Sequence, residues 1–196
     1  MKERESAYWD TVAEQIMDGG VLHDNWRKRE LINGFLSRES WREQNVLEIG
    51  VGAGVSAGVL SIAAGGGMKY VGTEMSDKFV NVAKQYFRLN VVKADILSLP
   101  EGPFTRIIAL DSLEHVLPED RPKGFKAIVD RLSDGGLLLI NTPCHRSSHK
   151  DEFDHGFDLR DLAMFEELGL RLRKYEMYQY RLNKGMRFAA FLTMFK

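Results

Sequence analysis

This chain lacks the material for several classes of protein. Its 196 residues include one cysteine, Cys144, so neither a disulfide framework nor a cysteine-rich zinc site can be built. No apolar run approaches the ~18–20 residues that a membrane-spanning helix needs, and no such helix is expected. The opening Met1-Lys2-Glu3-Arg4-Glu5 is too charged for a signal peptide. Neither sign of charge is in excess: 27 Lys and Arg stand against 28 Asp and Glu, a formal net of −1. Nothing global therefore calls for nucleic acid or a membrane surface. With 44% hydrophobic and 28% charged residues, the chain reads as a single cytoplasmic α/β domain large enough for its own core.

What is present is organised around Val46-Leu47-Glu48-Ile49-Gly50-Val51-Gly52-Ala53-Gly54. A short apolar run holding one carboxylate leads into three alternating glycines, and a small-residue helical pattern comes next. That is a strand, a sharp turn and a helix start, the construction that brings backbone N–H groups up to a ligand. A Cβ on these glycines would block both the turn and the ligand's approach. Glu48 is the departure: a carboxylate inside a buried strand end is costly unless it is paired or hydrogen-bonded.

Glu48-x-Gly50-x-Gly52-x-Gly54 after an apolar strand resembles the first motif of class I S-adenosylmethionine (SAM) methyltransferases. The resemblance implies a loop wrapped around the methionine part of the cofactor, with the acidic residue ordering the loop. Gly52-x-Gly54-x-x-Ala57 also satisfies the dinucleotide fingerprint, so the loop alone leaves two cofactors open.

The rest of the chain bears on that choice. Tyr8, Trp9, Val12, Ala13, Ile16 and Met17 make one face of a helix over 5–17, and a second helix is expected over 25–37 behind Asp24. In the resembled family such leading segments, here residues 1–42, cap the cofactor or the substrate, while 44–196 would be the sheet core. Val55, Val59, Ile62 and Ala63 form the expected sheet-packing face of the helix after the loop. A strand over 68–74 ends on Glu74, 22 residues beyond Gly52, where a carboxylate can accept both ribose hydroxyls in either type of site. Ser76 caps a helix with Phe79, Val82, Ala83 and Tyr86 on one face. A third strand runs over 91–96 and carries Asp95. The resemblance implies that Asp95, with Ile96 and Met75, flanks adenine.

The fourth strand, 105–111, leads into Asp111-Ser112-Leu113-Glu114-His115. In an open α/β sheet this strand lies beside the first, where ligands sit, so Asp111 joins the cofactor-site residues. The D-x-x-E-H run is similar to the segment after strand four of many class I methyltransferases and is unlike the continuation of a dinucleotide fingerprint. A helix over 118–132 stops at Asp134-Gly135-Gly136, and 137–143 reads as a strand buried on both faces. After a helix over 159–168, strands over 170–180 and 186–195 flank Asn183-Lys184-Gly185 and make a hairpin. Ending a parallel sheet on a hairpin, with strand seven between five and six, is the methyltransferase arrangement. The expected fold is thus α/β, a doubly wound seven-stranded sheet, mostly parallel, with an antiparallel last strand.

The implied activity is SAM-dependent methyl transfer, with S-adenosylhomocysteine (SAH) as product, to oxygen or nitrogen of a small-molecule acceptor. Transfer from a sulfonium is an in-line displacement, so the protein mainly aligns the reactants and excludes water. A base is needed only for a protonated nucleophile. His115, after strand four, and His155, in the histidine-dense loop that also holds His145 and His149, are the candidates. The pair Asp111-x-x-Glu114-His115 and Asp154-His155-Gly156-Phe157 also resembles the divalent-metal site of small-RNA 2′-O-methyltransferases, with Asp111 replacing the first Glu. The metal-free reading is preferred. Arg171, Arg173, Lys174, Arg181, Lys184 and Arg187 make the last hairpin basic, which keeps RNA as a second acceptor class, although such residues also protect edge strands. From a different class comes a methyltransferase fold kept as a non-catalytic binding module. The intact Glu48, glycines, Glu74 and Asp95 argue against it.

Overall fold

The structure is a computed structural model and describes residues 2–18, 39–143, 153–179 and 186–194. The expected helix over 25–37, His145, His149 and the turn at 183–185 lie outside the described residues. The chain forms two compact units, 1–95 and 96–196.

The first unit holds α1 (Lys2–Asp18), β1 (Asn45–Ile49), α2 (Val55–Ala64), β2 (Lys69–Glu74), α3 (Asp77–Phe87) and β3 (Val91–Lys93). β1 pairs with β2, and β2 with β3, both in parallel. Gly65 ends α2 in the left-handed region at φ 62° and donates its N–H to Ile62 O. Ser76 caps α3, its hydroxyl accepting from Phe79 N at 3.1 Å. On α1, Trp9, Val12, Ala13 and Ile16 pack on Ala53, Val55, Phe79 and Val82. Three residues expected on buried faces are exposed instead: Met17 at 42%, Ile62 at 82% and Tyr86 at 60%. The buried stripe of α2 runs Ala57, Leu60, Ala64, and that of α3 passes through Val82 and Ala83, with Phe87 rather than Tyr86 packed against the core. In helices of ten or eleven residues with more apolar side chains than one face can hold, packing selects the face.

The second unit holds β4 (Phe104–Leu110), a 3₁₀ turn (Leu113–His115), α4 (Arg121–Arg131), β5 (Leu132–Pro143), α5 (Leu159–Glu167), β6 (Leu170–Gln179) and β7 (Met186–Met194). β4 and β5 are parallel, while β7 is antiparallel to both β5 and β6. α4 begins three residues later than expected. Residues 118–120 form a turn and Pro122 occupies the first turn of the helix, where its missing N–H costs nothing. β5 starts early at Leu132 through an irregularity that places Phe104 opposite Leu132 and Arg106 opposite Leu137. Its run from Leu137 to Thr142 is buried throughout, as expected. Phe125 stacks on Phe165 at 4.4 Å between ring centroids and tilts against Phe157 at 6.0 Å. The seven strands follow the order β3-β2-β1-β4-β5-β7-β6, the doubly wound, mostly parallel sheet with an inserted antiparallel strand that the hairpin signal implied. Among the described residues no helix is long and apolar enough to cross a membrane.

Candidate functional site

The glycine loop is held by two carboxylates with different tasks. Glu48, on β1, is 1% exposed. One of its oxygens accepts from Ser56 Oγ at 2.5 Å and the other from Tyr70 OH at 2.8 Å. The loop's exit helix and the neighbouring strand are thereby tied to one buried charge, which answers the cost of placing a carboxylate there. Burial first, then the charge of Glu48 and its hydrogen bond, push the Tyr70 phenol well above its ordinary range. Gly72 lies opposite Glu48 in the ladder. A Cβ there would stand 2.3 Å from Val51 Cγ2 and 2.8 Å from the Tyr70 hydroxyl, so the glycine leaves room for the Tyr70–Glu48 bond. Ser56, Tyr70 and Gly72 were not singled out from the sequence. The cost of burying Glu48 signalled that it needed donors, but no local pattern named them.

Glu74, at the end of β2, works on the loop itself. One oxygen accepts from Gly52 N at 2.8 Å, and the other from Met75 N at 2.8 Å and Ser76 N at 3.0 Å. Charge-assisted bonds to three backbone N–H groups fix the loop against the strand end. Gly52 has φ +55°, and an added Cβ would meet nothing within 4 Å. The space in front of the loop is open and its backbone is presented to it. Gly54, at φ +86°, has the opposite reason to be glycine. Its Cβ would fall 2.8 Å from Leu89 Cδ1 and 3.1 Å from Ala83 Cβ, so it permits close packing on α3. Gly50 donates to Thr73 O at 3.0 Å. Asp95 stands half-buried two residues past the end of β3, rather than within the strand.

Helix α1 fastens onto the same corner. Ser6 Oγ donates to Met75 O at 3.0 Å, and Asp10 Oδ1 accepts from Ser76 Oγ at 2.5 Å and Lys78 N at 3.2 Å. Lys78 forms an ion pair with Glu14. Asp10 thus caps the N-terminus of α3 from another helix, a favourable place for an anion.

In the second unit Asp111 follows β4 at φ +52°, a conformation that aspartate tolerates better than most residues. It donates its N–H to Asn141 O at 2.8 Å. Ile96 is buried and packs against Gly124 of α4. Beyond Asp111, the two segments carrying the candidate histidines meet. His155 N donates to Glu114 O at 2.9 Å, and His115 Nδ1 lies 3.2 Å from Phe153 O. A carbonyl only accepts, so Nδ1 is the donor in this contact. Glu114, its side chain 2% exposed, places Oε1 4.0 Å from His115 Nε2. Gly156 N donates to Asp154 Oδ1 at 2.7 Å. The two sequence motifs are brought side by side, yet among the described residues no group of three or more His, Cys, Asp or Glu is arranged to hold a metal ion. On β6, Arg171, Arg173 and Lys174 are exposed, and Lys174 pairs with Glu176. The side chains of Arg181, Lys184 and Arg187 lie outside those described.

Residues 46–136 match the family described as methyltransferase domain. Among solved structures, the N-methyltransferase NodS from Bradyrhizobium japonicum WM9 is similar at 16% identity, over 88% of this chain and 97% of its own, with a TM-score of 0.73. NodS has also been solved with SAH bound. A TehB-like SAM-dependent methyltransferase from Corynebacterium glutamicum is similar at 19% identity, over 97% and 99% of the two chains, with a TM-score of 0.70. A putative methyltransferase from Haloferax volcanii, solved with its Trm112 activator, is similar at 15% identity, over 93% and 96%, with a TM-score of 0.74. At these identities the likeness is one of fold. No curated protein matches the sequence.

Proposed function

We propose that the protein transfers a methyl group from SAM to an oxygen or nitrogen of a small-molecule acceptor, a reading supported by the match of residues 46–136 to the methyltransferase-domain family and by a fold similar to that of SAM-dependent methyltransferases. The observation that carries this reading is the Glu74 bridge, one strand-end carboxylate binding Gly52, Met75 and Ser76 N–H together beside open space at Gly52. The residues fit the cofactor. Gly50, Gly52 and Gly54 offer close backbone, Glu74 would take the ribose hydroxyls while holding the loop, and Met75, Asp95 and Ile96 would flank adenine. Glu48 would act at one remove, keeping the loop and α2 in register, and Asp111 would border the site at the end of β4. When bound, SAM supplies an electrophilic methyl group on a sulfonium.

For a hydroxyl or ammonium acceptor, His115 would serve as base through Nε2. Phe153 O fixes the tautomer, and the carboxylate of Glu114 would stabilise the imidazolium that proton removal leaves. His155 is the second proton-transfer candidate, held beside it through the backbone of Glu114. Titration calorimetry with SAH tests the assignment: the native protein is expected to bind, and Glu74→Ala and Asp95→Ala to bind at least about tenfold more weakly while still unfolding in one cooperative transition, with Glu74→Ala at a lowered melting temperature. Native affinity in both variants would overturn the cofactor site.

A further inference from the structure

We propose that Arg121 is a positioning residue for acceptor chemistry, fixing the turn that carries His115 against the segment that carries His155. The inference rests on the base reading above and deepens it. Arg121 lies in the first turn of α4 and is 8% exposed. Its Nε donates to Val116 O at 3.1 Å, the residue after His115. Its Nη2 donates to Gly156 O at 2.5 Å, the residue after His155. Its Nη1 meets Asp161 Oδ1 at 2.8 Å. The other oxygen of Asp161 accepts from Asp158 N at 2.7 Å and closes the capping box of α5. One guanidinium thus joins three pieces of chain separated by 5, 35 and 40 residues.

A buried ion pair is a weak stabilising device, since an apolar pair of similar volume packs at least as well. What only a guanidinium offers is a rigid fork serving several acceptors at once. Here two of the three acceptors are carbonyls immediately after the two candidate histidines. With 153–156 held against 113–116, Phe153 O stays at His115 Nδ1 and His155 N stays on Glu114 O. Arg121 makes no contact with a reacting atom. It acts through the tautomer of His115.

The test compares native protein, Arg121→Lys and Arg121→Met, each saturated with SAH, by ¹⁵N NMR of the histidine side chains, with melting temperature and SAH affinity measured on the same samples. Lysine keeps the charge opposite Asp161 and should fold, but cannot reach all three acceptors. The expected result is SAH affinity within about twofold of native, because the three bonds of Arg121 run to Val116, Gly156 and Asp161 and to no group assigned to the cofactor, together with a shift of His115 from Nδ1–H to a mixed tautomer in both variants. A lowered melting temperature with the native His115 tautomer would mean that Arg121 is a structural ion pair only, and would overturn the proposal. The base reading fails on a separate observation, a native protein whose His115 carries its proton on Nε2. That observation would also remove the Nδ1–H bond to Phe153 O that Arg121 would hold, whereas a native Nδ1–H that persists in both variants overturns the positioning role alone.

Discussion

Tyr70→Phe removes a single oxygen atom and probes whether Glu48 organises the glycine loop. The hydroxyl donates at 2.8 Å to a carboxylate that is 1% exposed, so water cannot take its place without opening the core. A hydrogen bond to a charged acceptor contributes about 1.5–3 kcal/mol. The lower half of that range applies here, because the ring stays in place and the variant no longer buries a phenol. Taking about 2 kcal/mol, and about 2–4 °C per kcal/mol for a chain of this size, the melting temperature should fall by about 4–8 °C. The other oxygen of Glu48 keeps Ser56 at 2.5 Å, so the loop stays tethered through α2 and SAH affinity should weaken by less than about tenfold. Ser56→Ala should show the reverse weighting, since it releases the helix that leaves the loop. Calorimetric melting and SAH titration on the two variants read both quantities. A melting temperature within about 1 °C of native for Tyr70→Phe would refute the argument, since a donor to a buried charge cannot be lost at no cost.

Gly72→Ala should destabilise at least as much as Tyr70→Phe, by about 1–3 kcal/mol of overpacking, because its methyl would lie 2.3 Å from Val51 Cγ2; an unchanged denaturation midpoint would show that the strand yields instead. Gly52→Ala imposes a left-handed conformation costing about 1–2 kcal/mol and projects a methyl group into the open space before the loop. SAH affinity should therefore fall by more than about tenfold, and retained affinity would remove Gly52 from the site. The pH dependence has a definite sign. The Tyr70 phenol is raised by burial and by Glu48, so its contribution to stability is complete below the unfolded value of about 10 and is lost as pH climbs towards the folded one. In an alkaline titration of phenolate absorbance, one of the six tyrosines should ionise only together with unfolding, and six phenols titrating in the native protein would contradict this.

The parts of the molecule legible beforehand are those encoded by neighbours in the chain. The strand and turn of the glycine loop, Ser76 as cap and the antiparallel pairing of the last two strands are all local matters of period and turn chemistry, and each is found in place. Where local information ran short, so did the reading. Ile62 and Tyr86 were set on buried faces because apolar residues outnumber the positions a short helix can bury, and phase is then decided by the surface that packs opposite. Asp95 was placed inside a strand whose ladder closes at Lys93.

The sequence by itself determined the fold class, the strand order implied by a terminal hairpin, and the position of Glu74 relative to Gly52. The tertiary structure alone decided who serves the buried charges. Ser56 and Tyr70 reach Glu48, Asp10 reaches across to cap α3, and Arg121 reaches Gly156 and Asp161. The physical reason is the same in each case. A side-chain hydrogen bond between residues far apart in the chain depends on distance and direction in space, and neither quantity has a period or a spacing that a sequence could display.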